Sequence, residues 1–202
     1  MAITSIKTGS SFTNLVKYND FLAGNPSFIP SSYESIASFV ATSGQSFIEF
    51  TSIPSTYKHL QIRGIAQDTN TGNDQAVAMN IRFNGDTASN YALHQLRGDG
   101  TQTSAQGSGS YGSPLIYDSQ WRATTASNIY GALILDIHDY ASTTKNKTVR
   151  YFAGGEGNTG NTNSRLSLGS ALWMSTSAIT TIRIIPFTAF TAGSTFALYG
   201  IK

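Results

Sequence analysis

Residues 76–91, AVAMNIRFNGDTASNY, decide the fold class of this chain. From Val77 to Phe83 the large apolar side chains fall on alternate positions, which is the period of a strand with one buried face. The strand pattern runs directly into Asn84 and Gly85, two residues that tolerate the positive φ angles of tight turns. The stretch therefore predicts a β-hairpin, and similar patterns recur along most of the chain.

The composition of the chain favours β structure over helices. Of its 202 residues only 12% are charged, about half of the roughly 25% that is usual in globular proteins. Long exposed helices normally carry many Glu and Lys residues, so polar loops of Ser, Thr, Asn and Gly explain the polarity better. Hydroxyl and amide groups also cost less to desolvate than charges do, which suits a surface that a partner covers.

The charge and the cysteine content exclude several classes of partner and site. The 13 basic and 11 acidic residues give a net charge of +2, and the basic residues are scattered singly, so we expect no nucleic-acid partner. The chain has no cysteine, so we expect neither disulfides nor Cys-ligated metals. No apolar run approaches the ~20 residues of a membrane helix, and the N-terminus lacks the pattern of a signal peptide, so we expect no membrane insertion.

Residues 1–32 differ from the remainder, because their apolar residues follow neither the strand period nor the helix period. A short helix over residues 13–22 is the only regular element that they suggest. An apolar segment without a period cannot bury itself, so we expect an N-terminal arm that binds a partner, with a wrap along the main domain and disorder as alternatives. The arm residues expected to make contacts are Phe12, Leu15, Phe21, Leu22 and Phe28.

Residues 33–202 show strand patterns at short intervals, separated by turns rich in Gly, Ser and Asn. Hairpin loops are predicted at residues 42–45, 84–86 and 139–144, and Pro186 marks the end or the edge of a strand. Ten or eleven short strands with no further helix are typical of an antiparallel β-sandwich. We therefore predict one all-β domain, an antiparallel sandwich of the jelly-roll type, with the extended N-terminal arm attached.

Two stretches rich in Gly, residues 98–114 and 154–163, are predicted to be exposed loops. Tyr111 lies in the first of them, and Trp121 follows it. Aromatic rings beside amide groups hold sugars in many β-sandwich proteins, so Tyr111 and Trp121 are candidates for a glycan contact. The interpretation that we favour is that such rings fill one end of the sandwich or a subunit interface.

The sequence carries no strong signature of catalysis or of cofactor binding. Two G-x-G-x-x-G matches, at residues 107–112 and 155–160, do not open a helix, as a phosphate site of this kind requires. Asp136, His138 and Asp139 form the densest ionisable cluster, and we interpret it as a hydrogen-bonded group at the surface. We expect no catalytic residue, no metal and no cofactor, and hence a protein that is not an enzyme.

Four segments resemble a group of uncharacterised virion structural proteins of tailed bacteriophages. They are SIPSTYKHLQIRG (residues 52–64), RFNGDTASNY (82–91), DYASTTKNKTV (139–149) and AGSTFALYGIK (192–202). The last contains the F-x-L-Y-G-I pattern, which is similar to the final strand of many viral β-sandwich modules. The resemblance extends over most of residues 33–202 and implies a tail-fibre-like or capsid-decoration-like protein without catalytic residues.

The resemblance and the composition together predict a structural protein at the virion surface that is synthesised in the host cytoplasm. We expect it to form a homo-oligomer, a trimer, around a symmetry axis and to attach through its arm to another virion protein of the capsid or tail. Capsid decoration or a head fibre is the interpretation that we favour. The alternative is a tail-fibre or receptor-binding module whose loops at residues 102–111 and 154–163 recognise host-surface glycans.

Overall fold

The computed structural model describes residues 32–71, 76–123, 128–157 and 164–202. None of these residues forms a helix, so none forms a helix long and apolar enough to cross a membrane. Tyr33–Lys202 group into one compact unit. The described strands are β1 (Tyr33–Val40), β2 (Ile48–Phe50), β3 (His59–Asp68), β4 (Ala76–Phe83), β5 (Tyr91–Gly98), β6 (Thr103–Tyr111), β7 (Leu115–Arg122), β8 (Gly131–His138), β9 (Lys147–Gly155), β10 (Arg165–Trp173), β11 (Ile182–Ile185) and β12 (Thr195–Ile201).

The described strands form two layers around one hydrophobic core. The large sheet is antiparallel throughout and has the order β1-β12-β3-β8-β9-β10-β5-β6. The small sheet has the order β2-β11-β4-β7 and is also antiparallel. The two sheets join at the end of β3, where Gln67 and Asp68 pair in parallel with Trp121 and Arg122 of β7.

Strands that are far apart in sequence pair in a nested pattern. β1 pairs with β12, β2 with β11, β3 with β8 and β4 with β7, as if one long hairpin were wrapped around the core. This nesting is the pairing of a jelly roll, so the predicted all-β jelly-roll sandwich is confirmed. Residues 1–31, which hold nearly all of the predicted arm and its short helix, lie outside the described residues.

Two additional hairpins widen the large sheet only. The β5–β6 hairpin is inserted between β4 and β7, and β9 and β10 are inserted between β8 and β11. β10 pairs with β5, so the inserted strands continue the large sheet as β9-β10-β5-β6. The large sheet therefore extends beyond the four strands that cover its inner side.

The turn at Asn84 and Gly85 forms, but the hairpin predicted there is wrong. Both residues have positive φ angles, 50° and 69°, and the amide of Asp86 closes the turn over 2.9 Å. The flanking strands lie in different sheets, because β4 pairs with β7 and β11 whereas β5 pairs with β10 and β6. The side-chain oxygen of Asn84 accepts hydrogen bonds from the amides of Thr180 and Thr181, which fixes the turn as an arch between the sheets.

The other turn and loop predictions have mixed outcomes. Residues 42–45 also connect the two sheets, so the hairpin predicted there is wrong, whereas residues 139–144 do close the β8–β9 hairpin. β11 ends at Ile185, directly before Pro186, as predicted.

The loop predicted over residues 98–114 is wrong, because Thr103–Tyr111 forms β6. No apolar alternation marks β6, since neither of its faces is buried.

Asp86 ties the arch to the large sheet. Its carboxylate accepts hydrogen bonds from the indole nitrogen of Trp173 over 2.7 Å, from the side chain of Asn90 over 3.0 Å and from the amide of Ala88 over 2.9 Å. Trp173 is buried in β10, where it stacks on Tyr91. The hydrogen bond from Trp173, and next that from Asn90, hold the pKa of Asp86 below its ordinary value.

The substitution Asp86→Ala is expected to lower the free energy of unfolding by about 1–2 kcal/mol near neutral pH, because it leaves the buried indole without an acceptor. The folded-state pKa of Asp86 is lowered, so its ionised form stabilises the fold fully above about pH 5. That contribution is lost as the pH falls through the ordinary value of about 3.9 towards the folded-state pKa. Urea unfolding at about pH 7 and about pH 3 should therefore show a difference between wild type and variant that shrinks in acid; a constant difference contradicts this assignment.

A second expectation concerns Gly131, at the start of β8. A Cβ atom there would lie 2.8 Å from the Cα of Gln120, a backbone atom of β7 that cannot move aside. Gly131→Ala should therefore destabilise the fold by about 2–3 kcal/mol. The matched control is Gly98→Ala in β5, where a Cβ meets no atom within 4 Å and where we expect a change within about 0.5 kcal/mol. Equal unfolding midpoints in urea for the two variants would contradict the packing described for β7 and β8.

Candidate functional site

Most of the residues predicted to contact a partner lie outside the described residues, namely Phe12, Leu15, Phe21, Leu22 and Phe28 of the arm. Residues 158–163 of the second predicted loop lie outside them too. Tyr111 ends β6 and is partly exposed, so it stays a candidate contact.

Trp121 is buried and offers no platform for a sugar. It is 0% exposed, so its ring has no face open to a glycan, and this excludes the glycan contact that was the alternative interpretation for it. A Cβ atom at Gly155 would lie 2.7 Å from Cε3 of the indole, because the ring occupies the space over that glycine. The ring therefore fills the sandwich, which is the interpretation favoured from the sequence.

The cluster of Asp136, His138 and Asp139 is arranged as a hydrogen-bonded group at the end of β8. Asp136 accepts a hydrogen bond of 2.7 Å from the side chain of Gln61, and the ring of His138 meets that of His59 edge-on at 5.1 Å. The Lys145 ammonium lies 2.7 Å from the carboxylate of Asp139, and their hydrogen bond holds the pKa of Asp139 below its ordinary value. Among the described residues no three His, Cys, Asp or Glu side chains are placed to hold a metal ion.

A buried network joins β7 to the large sheet. Asp118 is 1% exposed and has a φ angle of +56° at a bulge in β7, opposite the register shift in β4. Its carboxylate accepts a hydrogen bond of 2.7 Å from the guanidinium of Arg97 in β5 and another from the hydroxyl of Ser167 in β10. Both oxygens are therefore occupied by structural partners, which accounts for this acid as part of the scaffold.

Within the part of the chain that the structure describes, the outer face of the large sheet has no covering layer. Four large apolar side chains lie directly opposite one another on adjacent strands, where a solvated sheet face normally carries polar residues. Their exposed fractions lie between 41% and 54%. We call them the apolar ridge, and in strand order they are Ile134, Phe152, Leu168 and Leu96.

A groove of about 830 Å³ runs beside the apolar ridge. Its floor lies two residues from the ridge along the strands, and in three of the four strands it is made of small residues, which are Ala132 in β8, Gly154 in β9 and Gly98 in β5. Leu166, which is 50% exposed, continues the apolar surface in β10. We call this feature the glycine groove.

Charged groups lie at the two outer borders of the ridge and groove. On the ridge side the exposed side chains of Arg150 and His94 line a second groove of about 740 Å³. The far rim of the glycine groove carries the acids Asp99 and Glu156, together with Arg165. Asp136 of β8 lies directly opposite Arg150 on the ridge side, so the ridge-side border carries both signs of charge, whereas the far rim is mainly acidic.

This surface was not among the predicted contacts. The signal that points to it is the doubled pattern of β10, where Leu166 and Leu168 occupy one parity while Ala171 and Trp173 occupy the other. A strand that is apolar on both faces is typical of a sheet that is covered on both sides. Among the described strands, those of the small sheet cover only the second of these parities, and Leu166 and Leu168 of the first are half-exposed.

Comparison with protein-family models, with curated proteins and with solved structures finds no match to this chain.

The network around Asp118 gives a test of its structural role. Asp118→Asn keeps the shape and tolerates the positive φ angle, but it removes the charge that faces Arg97. We expect a loss of about 2–3 kcal/mol in the free energy of unfolding. The control is Glu49→Gln, which alters the half-exposed ion pair with Arg183 at 2.8 Å and should cost under about 1 kcal/mol. Calorimetric unfolding that ranks the two variants the other way would contradict the assignment.

Proposed function

We propose that this chain is a structural protein of a tailed-bacteriophage virion, a jelly-roll module that assembles with copies of itself and attaches to the particle surface. Capsid decoration or a head fibre is the role that we favour. The observation that carries the proposal is the open apolar face of the large sheet. Proteins that work alone in water rarely leave contiguous apolar faces uncovered, whereas members of an assembly bury them against neighbours.

Three of the four segments that carry the resemblance to phage virion proteins support a structural role, because residues 52–64, 139–149 and 192–202 pack together at one end of the sandwich. The hydroxyl of Tyr140 donates to the carbonyl of Pro54 and accepts from the amide of Tyr57. The ring of Tyr57 covers Gly200, where a Cβ atom would lie 2.3 Å from it. The shared motifs are thus explained by the closure of this end and need no catalytic role.

The arrangement of the acids also supports assembly over catalysis. Asp68, Asp86 and Asp118 are each engaged by two or more hydrogen-bond donors, of which at least one comes from a distant part of the chain. The catalytic acids and bases of enzymes commonly face a cleft, with a pKa matched to proton transfer. Here the carboxylates hold arches and sheets in place.

One observation favours the second candidate, a tail-fibre or receptor-binding module that recognises host-surface glycans. β6 exposes nearly all of its side chains, among them amides, hydroxyls and the ring of Tyr111, and such groups hold sugars in other sandwich proteins. Glycan-array binding that disappears in Tyr111→Ala would promote this candidate. Trp121→Ala does not serve as a test, since the ring lies in the core.

The proposed function predicts that the protein bands with purified particles of the phage that encodes it. Quantitative mass spectrometry of gradient-banded particles, with antibody labelling in the electron microscope, should find many copies per particle on the head surface. A variant without residues 1–32 should keep the strands of Tyr33–Lys202 but lose the attachment that we assign to the arm. Absence of the protein from intact particles contradicts the proposal, and full attachment of the shortened variant contradicts the role of the arm.

A further inference from the structure

The outer face of the large sheet contains both a protruding feature and a recess that fits it. The apolar ridge and the glycine groove lie side by side, two residues apart along every strand from β8 to β5. We propose that a second copy of this chain covers this face, with the ridge of each copy seated in the groove of the other about a two-fold axis. This inference rests on the proposed function, of which self-association is a part, and it names the surface and the symmetry.

The register of the strands shows why the two features match. We place the two-fold axis in the plane of the interface, perpendicular to the strands and midway between ridge and groove. Rotation about this axis puts each strand over the same strand of the second copy, with its direction reversed. Phe152 of one copy then lies over Gly154 of the partner subunit, and Ile134 lies over Ala132 of the partner subunit. Leu96 meets Gly98 of the partner subunit in the same way. Large side chains therefore meet small ones at three of the four ridge positions, as packing between sheets requires.

The second groove is the poorer recess for the ridge. On that side of the ridge, the positions two residues away carry the long side chains of Arg150 in β9 and His94 in β5, which line the second groove. The corresponding positions in the glycine groove are Gly154 and Gly98. The size of the lining side chains therefore decides between the two grooves, since both have charged residues in their lining.

The same axis brings opposite charges together at the borders. Arg150 lies two residues before Phe152, and Glu156 lies two residues after Gly154, so Arg150 of each copy faces Glu156 of the partner subunit. In β5, His94 lies two residues before Leu96, and Asp99 directly follows Gly98. His94 of each copy therefore faces the turn that carries Asp99 of the partner subunit. Opposite charges at Arg150 and at Glu156 of the partner subunit favour the correct register over shifted ones, although Asp136 also lies beside Arg150 in the same chain.

The area available is sufficient for a modest interface. Five half-exposed large side chains, the ridge and Leu166, amount to roughly 400–500 Å² of accessible surface, and the groove lining brings each face to about 600 Å². Two such faces lie at the lower end of the roughly 1,200–2,000 Å² that specific interfaces bury. A face that contains its own complement closes with two copies, so this inference replaces the expected trimer by a pair.

The first experiment measures the mass of the full chain in solution by sedimentation equilibrium. Wild type should have twice the mass of the chain, and Phe152→Asp and Leu168→Asp should each raise the dissociation constant at least ~100-fold, because each buries a charge in an apolar groove. The matched control is Phe187→Asp, at a side chain that is 59% exposed and lies outside this face, and it should remain a pair. A monomeric wild type, a trimer, or a pair that Phe152→Asp leaves intact overturns the inference.

The second experiment tests the register with substitutions at exposed positions, where misfolding is not expected. Arg150→Glu and Glu156→Arg should each weaken the pair ~10-fold, and the double variant should restore wild-type affinity. Positions 150 and 156 are about 20 Å apart along one strand direction, so restoration can occur only between two copies. If the loss of affinity in the double variant is the sum of the two single losses, the proposed axis is wrong.

These measurements separate the inference from the proposed function. Pairing is measured on the purified chain, whereas the function is tested by the presence of the protein on particles. A chain that pairs as described but is absent from particles overturns the function and leaves the surface assignment standing. A chain found on particles that shows no pairing overturns the surface assignment alone.

Discussion

The fold depends on the buried carboxylate of Asp68, at the point where the two sheets meet. Asp68 ends β3 and is 0% exposed. One of its oxygens accepts hydrogen bonds from the amide of Thr188 and the side chain of Gln120, and the other accepts from the amide of Asn70. The carboxylate thereby connects β3, β7 and the segment before β12, which belong to different parts of the nested pairing. A buried charge is tolerated only where donors surround it in this way, so the position and direction of all three segments are fixed together.

The two sheets that meet at this junction are unequal in width, because all the inserted strands extend the large sheet. β5, β9 and β10 extend the large sheet only, and their inner side closes over β7 and the core, whereas β6 continues the sheet as an edge strand with both faces exposed. Among the described residues, no further layer covers the outer side of these strands. The inner side is held by the Asp118 network and by the stacked rings of Tyr91 and Trp173. The outer side carries the apolar ridge, which the chain cannot cover with its described strands. Widening one layer of the jelly roll and not the other thus leaves the apolar face on which the proposed assembly rests.

The low charge of the chain acquires a structural explanation in this arrangement. Several of the charged residues are engaged in pairs or networks that fix strands and turns, as for Arg183 with Glu49 and Lys145 with Asp139. Part of the surface is polar but uncharged, as β6 shows over its whole length. Such a surface loses little free energy when a neighbour covers it.

The sequence by itself determined the class of the fold, because alternation of apolar residues is a local property that the chain reports directly. It located the buried parity of β4 and β8, the β8–β9 hairpin and the end of β11 before Pro186. Only the tertiary structure decided which strands pair, since Asn84 and Gly85 adopt the same turn in a hairpin and in an arch between sheets. It also decided that β6 is a strand and that Leu166 and Leu168 point outward. A strand with no buried face has no alternation of apolar residues, so the sequence pattern cannot reveal it. In a strand that is apolar on both faces, the sequence pattern does not indicate which face packs against the core of its own chain.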